Sequence, residues 1–269
     1  HAIQPRHPGA YEEMVSLWGC LDRQVLWDAR EEIIRLEREG DRLERDAGGY
    51  LYAAGALTGE LASMGAAATD RGKLLAYARR LAAREFPRPA GKKGGEKVRL
   101  LSAVTPEGQL LLRDTVAAAA PRAIAIEDSW GAVANALLEA LRDLALESGL
   151  EVVTCRCPLF PFTKLDHLLL PQLGLGFLTL NRGNAREVTG LTQRAIHATR
   201  FCDGARLHQR KGRAAFLRRA AAGMLDQAAE VLGQQREARR QLHRLLLSAT
   251  DQDAVEAVAS RVAKEMAAG

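Results

Sequence analysis

The sequence predicts an α/β fold: a parallel sheet core flanked by helical hairpin segments. Three observations carry it. Short apolar strands alternate with helices between residues 98 and 186. Helical seams with steps of three and four residues lie before and after that stretch. A Pro, Gly and Lys-rich segment, FPRPAGKKGGEK at 86–97, separates the first seams from the strands.

Residues 1–85 read as a helical segment. Met14, Leu17, Trp18, Leu21 and Val25 share one helical face. Ala29, Ile33, Leu36, Gly40, Leu43 and Ala47 form a narrow seam, and Tyr50, Ala54, Leu57, Leu61, Met64 and Ala68 form another. Gly48-Gly49 between them predicts the turn of an antiparallel hairpin. A shorter helix covers about 71–85. After the linker, VRLLSAV predicts a strand. Thr105-Pro106-Glu107 predicts a helix start, with a capping hydroxyl and proline at the first helical position. Ala123 to Ile126 is the next strand, 132–148 a helix ending near Gly149, and Glu151 to Cys155 a strand. His167 to Leu170 and Leu175 to Leu180 supply further strand segments. Residues 187–269 return to helix, with a seam at Leu217, Ala221, Met224, Ala228 and Val231 and a capping sequence at Thr250-Asp251-Gln252-Asp253. The predicted organisation is thus 1–85 helical, 86–97 linker, 98–186 core and 187–269 basic helical segment.

Composition narrows the function classes. Of 269 residues, 47% are hydrophobic and 26% charged, as in ordinary soluble domains. No apolar run reaches the roughly eighteen residues a bilayer span needs, so no membrane partner is expected. Four cysteines, Cys20, Cys155, Cys157 and Cys202, are no disulfide framework, and a cytoplasmic location is the expectation. The net charge is +5, but residues 206–244 hold ten Lys/Arg against three acids, a net +7.

The stretch RAIAIEDSWGAVANALL at 122–138 has the layout of strand, short turn and helix in which a phosphate loop GxxxxGK[ST] sits. This predicts a P-loop NTPase-like core. In register, Asp128 takes the first glycine, Val133 the second, Ala134 the lysine and Asn135 the Ser/Thr. A working loop needs glycines for close backbone approach and a lysine to offset phosphate charge. Asp128 would repel a phosphate instead. The candidate remnant of the site is Asp128, Ser129, Trp130, Gly131, Ala134 and Asn135. The strand at 175–180 carries no carboxylate for magnesium. Arg182 and Arg186 follow it, near the edge where α/β sheets bind ligands.

On HPGAYEEMVSLWG with REEIIRL, KVRLLSAVTPEG, EVVTCRCP and DHLLLPQLGLGFLTLN, the chain resembles a bacterial family of tandem P-loop ATPases in which two NTPase-like halves each carry a helical insertion. The likeness runs to about residue 185. It implies that the first half's phosphate loop lies upstream of His1 and that 122–138 is the second half's loop, here degenerate. HAIQPRHPGAYEEM reads as the interior of a longer polypeptide. ATP and magnesium are then expected in the amino-terminal half of the parent protein, and neither for this chain alone. That missing half is the expected partner. This half would be structural or regulatory, with Arg182 or Arg186 serving the other site. The competing reading is a non-enzymatic binding protein whose basic tail holds nucleic acid or an acidic protein.

Other clusters carry bland readings beside sharp ones. Cys155, Cys157, His167 and Cys202 could be zinc ligands, but a one-residue gap is poor ligand spacing, and core cysteines explain it as well. His197, His208 and His243 read as surface or interface residues. Arg206, Arg210, Lys211, Arg213, Arg218 and Arg219 could meet nucleic-acid phosphates, although only Phe201 and Phe216 are near for stacking.

Overall fold

The structure of the protein is a computed structural model in which residues 14–88, 91–181 and 183–268 are described. In chain order the elements are α1 (Arg23–Asp28), α2 (Arg30–Ala67), α3 (Arg71–Glu85), β1 (Glu96–Arg99), β2 (Ser102–Thr105), β3 (Gly108–Leu111), α4 (Arg113–Ala119), β4 (Arg122–Glu127), α5 (Val133–Glu147), β5 (Val152–Cys157), β6 (Phe160–Leu170), β7 (Leu175–Leu180), α6 (Ala185–Val188), β8 (Thr192–His197), α7 (Gly204–Gln209), α8 (Lys211–Ser248) and α9 (Gln252–Ala268). Contacts divide the chain into two units. One takes residues up to Leu43 and from Gln234 onward, and the other takes Glu44–Gly233.

The larger unit is built on a six-stranded sheet of order β1-β5-β6-β7-β4-β8. The expected sheet is wholly parallel; the observed one is mixed. β1 pairs β5, and β7 and β8 pair β4, all in parallel. β6 runs against both β5 and β7. The reason is local: Pro158 and Leu159 turn the chain straight from β5 into β6, and the Pro171–Leu173 turn, closed by Gly174 at φ 55°, returns it into β7. Connections this short join only antiparallel neighbours. β8 also lies inside the segment expected to be helical, where it pairs with β4 at the sheet edge.

Both sheet faces are covered. α5 buries Val133, Ala134, Leu137, Leu138, Leu141 and Ala145. These join Leu74, Ala78 and Leu81 of α3 and Ile124, Ile126, Leu168 and Phe177 of the sheet. The opposite face gathers Leu111, Val116 of α4, Ala123, Cys155, Leu178 and Val188 of α6. Each fully buried Val, Leu, Ile or Phe side chain among them contributes about 2 kcal/mol. Glu85 at the end of α3 is 8% exposed as a side chain and ties to Arg122 at 2.7 Å and Arg194 at 3.0 Å, fastening α3 to the starts of β4 and β8.

Three local expectations are corrected. Gly48-Gly49 makes no turn, and α2 runs through it for 38 residues. The two seams are one uninterrupted alternation of steps of three and four, from Ala29 to Ala68. Burial of Leu36, Leu43, Ala47, Ala54 and Leu61 along it outweighs the helix cost of about 1 kcal/mol per glycine. Thr105-Pro106-Glu107 starts no helix. It forms the tip of the β2–β3 hairpin, with Gly108 at φ 100° and the Thr105 hydroxyl donating to Gly108 O at 2.9 Å. Proline second and glycine last suit a tight turn as well as a helix start. The face from Met14 to Val25 is not one helix either. A turn at Trp18–Cys20 precedes α1, which the Asp22 carboxylate caps through Gln24 N and Val25 N. Residues 1–13 of the expected helical segment lie outside the described residues.

In the smaller unit, Asp22 N donates to Ala249 O at 2.7 Å and Asp251 N to Cys20 O at 2.8 Å. Asp251 caps α9 through Ala254 N at 3.0 Å. Arg239 reaches Asp41 at 2.9 Å across the glycine at position 40, where a Cβ would stand 3.1 Å from its Nε. Among the described residues, no helix is long and apolar enough to cross a membrane.

Candidate functional site

The site lies in the larger unit, where β4, β5 and β7 end. That is the edge at which α/β sheets hold ligands. β4 runs into the turn 128–132, and its backbone is tied to the neighbouring strand by Asp128 N donating to Leu180 O at 2.9 Å. The Asp128 side chain then folds back into its own turn. Its Oδ1 accepts from Trp130 N at 2.9 Å and Gly131 N at 3.0 Å, and its Oδ2 from Ala134 N at 2.9 Å. Asp128 is 2% exposed. Gly131 turns the chain at φ 77°, a conformation favouring glycine.

This carboxylate does two things. It supplies the missing cap of α5, whose N-cap residue Ala132 makes no side-chain hydrogen bond, and it sets a negative charge at the positive end of a 15-residue helix. It also occupies the amides a bound phosphate would use. A phosphate placed there would have to displace a buried carboxylate and would meet its charge. The remaining register positions agree. Ala134 has no reach. Asn135 is committed elsewhere: its Oδ1 accepts from Leu165 N at 2.7 Å and its Nδ2 donates to Glu139 at 3.3 Å. The amides of this turn and the Asn135 side chain are thus engaged within the protein.

Neighbours hold the turn from outside. Trp130 is 8% exposed and packs with Leu61 of α2, with Ala68 just after it, and with Leu207, Ala214 and Leu217 of α7 and α8. The approach to α2 requires Gly65, where a Cβ would lie 2.8 Å from that of Trp130. Arg218 Nη1 donates to Ser129 O at 3.3 Å, with its guanidinium 5.9 Å from the centre of the Trp130 ring.

A cavity of about 490 Å³ opens beside this turn. Asp128, Ser129, Trp130 and Gly131 form one wall. Because β6 is reversed, its early residues Lys164, Asp166 and His167 form another. Lys164 Nζ sits 3.1 Å from Asp166 and 3.9 Å from Cys157 Sγ. Burial alone would lower the Lys164 pKa, but the charges of Asp166 and Asp128 and the nearby thiol outweigh it, so the ammonium is held above its usual range. Burial pushes His167 down, which keeps it neutral near pH 7. Burial, aided by Asp166, pushes the Cys157 thiol up to about 11 and Cys155 to about 12. Neither is a thiolate nucleophile at neutral pH.

Of the residues singled out from sequence, Asp128 to Gly131 line the cavity, whereas Ala134 and Asn135 sit behind it in α5. Arg186 is exposed on α6 and is not part of the lining. Arg182 lies outside the described residues. Cys155 is in the core, Cys157 lines the cavity, and Cys202 lies within 3.8 Å of the Thr69 hydroxyl. Among the described residues, no cluster of three or more metal-ligating side chains forms. His197 pairs with Glu127 at 2.6 Å on the surface. In the basic segment, Arg206 pairs with Asp203 and Arg213 with Glu60, so part of its charge is used inside the protein. Lys164, Asp166 and Ser102 escaped the sequence reading. The spacing of Lys164 and Asp166, two apart in an extended segment, was the available signal.

No protein-family model, curated protein or solved structure matches the chain.

Proposed function

We propose that this chain is a degenerate P-loop NTPase-like half that does not turn over nucleotide and serves a structural or regulatory role toward an active NTPase-like partner half. The observation that carries the reading is the Asp128 carboxylate. It accepts from Trp130, Gly131 and Ala134 amides at the strand-to-helix turn where a phosphate loop would take its ligand. The frame of strand, turn and helix is kept and its anion cradle is filled from within. Asn135, standing where a magnesium-binding hydroxyl would, instead ties α5 to β6.

The test is a titration of the chain with labelled ATP and magnesium at physiological salt. No saturable binding is expected in the micromolar range. Micromolar binding, or hydrolysis above background, would show that the filled cradle is the wrong reading.

A further inference from the structure

The cavity beside the Asp128 turn has a chemistry of its own. Its wall includes Leu61, Val104, Leu111, Trp130, Leu217 and Leu225. Its volume of about 490 Å³ falls in the range that holds small organic ligands. Two polar side-chain atoms on residues of the lining, Ser102 Oγ and His167 Nδ1, are buried and have no hydrogen-bond partner among the described residues. Buried polar atoms are ordinarily satisfied, so an orphaned pair at one cavity points to a ligand that completes them.

The ionic groups set the ligand's charge. Lys164 and Asp166 neutralise each other at 3.1 Å. Asp128 is taken by three amides. Glu187 and Arg219 complete the charged lining with opposite signs, and Arg218 is turned onto Ser129 O. A charged ligand would have to take one member of the Lys164–Asp166 pair and strand the other in a half-buried place. A neutral one leaves the pair intact.

We propose that this cavity binds a compact, uncharged ring compound bearing one or two hydroxyl, amide or ring N–H groups, with Ser102 and His167 meeting those groups. Neutral His167 accepts or donates according to its tautomer, and the Ser102 hydroxyl does both, so the site suits mixed donor and acceptor ligands. The inference is independent of the nucleotide question, since the ATP titration can come out either way without altering the order of affinities among neutral and charged rings.

Calorimetry on the full chain at pH 7 tests it with three probes of one ring system: neutral 2-naphthol, anionic 2-naphthoate and cationic 2-naphthylmethylamine. Saturable one-site binding of 2-naphthol is expected, with both ions about tenfold weaker or worse because each disturbs the Lys164–Asp166 pair. Ser102→Ala removes an unpartnered hydroxyl and should leave stability unchanged or higher, while weakening 2-naphthol about fivefold. Ala222→Trp, on the α8 side of the cavity, should block binding by filling it. Failure of 2-naphthol to saturate, tighter binding of either ion, or undiminished binding in both variants would overturn the proposal.

Discussion

Two turns leave the same sheet edge from adjacent strands, and they gather backbone amides by different means. After β4, Asp128 collects three amides with a carboxylate that is 2% exposed. After β7, Asn181 Oδ1 collects Gly183 N and Asn184 N at 2.8 and 3.2 Å, and Asn184 returns the favour through Asn181 N and Thr179 O. The first turn heads a 15-residue helix and the second a helix of four. A charge stands where a long helix presents its positive end in a buried place, and neutral amides suffice where the helix is short and the turn half-buried. On the proposed reading, the same chemistry that caps α5 would close it to phosphate.

The sharpest way to break this contrast is Asp128→Ala. It leaves the buried amides of Trp130 and Ala134 without partners and should cost about 3 kcal/mol, read from urea unfolding. A loss below that of Asn184→Ala would mean the carboxylate matters no more than the neutral cap. Gly65→Ala comes next. Its Cβ would stand 2.8 Å from Trp130 Cβ and 3.2 Å from Ala132 Cβ. Overpacking should outweigh the gain in helix propensity and cost about 2 kcal/mol. In the turn after β7, Asn184→Ala should cost about 1 kcal/mol.

Smallest is Glu85→Gln, at the opposite end of β4. Burial would raise the Glu85 carboxyl, but hydrogen bonds from Arg122 and Arg84 and the charges of Arg122 and Arg194 hold it below its usual range. A carboxylate depressed in the folded state stabilises above its unfolded pKa and loses that contribution as pH falls through the folded value. With half-exposed arginine partners, the contribution should be about 0.5 kcal/mol. The difference between wild type and Glu85→Gln should be full at pH 7 and vanish below the ordinary carboxylate range. A difference that persists in strong acid would assign the effect to packing instead.

Much of the fold was legible because periodicity and burial coincide. α3, β4, α5 and β7 carry their apolar residues at the spacing their structure uses, and Gly149 stops α5 where expected. β8 was not legible. TQRAIH is an edge strand that buries only Ile196, so it has neither an apolar run nor alternation. The first half of β6 was masked by Pro161 and by polar residues that serve the cavity rather than the core. Gly48-Gly49 misled because glycine is read as punctuation, whereas the heptad pattern passing through it was the stronger signal. At the site, the strand, turn and helix around Asp128 could be read directly. Its capping role could not, because that depends on the side chain turning back onto residues two to six positions ahead. Lys164 and Asp166 reach the cavity only through the pairing of β6 with β5 and β7, a long-range event that local sequence does not announce.

The reversed course of β6 has a consequence for how this molecule can change. Most α/β sites are written on loops, and new specificity means reshaping backbone. Here the chamber takes Lys164 and Asp166 from an irregular stretch of β6, on either side of Leu165, which pairs with Arg156, so exchanges at 164 or 166 would retune polarity while the paired positions keep the scaffold. Variation confined to those two positions would mark a lineage adjusting what it recognises without rebuilding its frame.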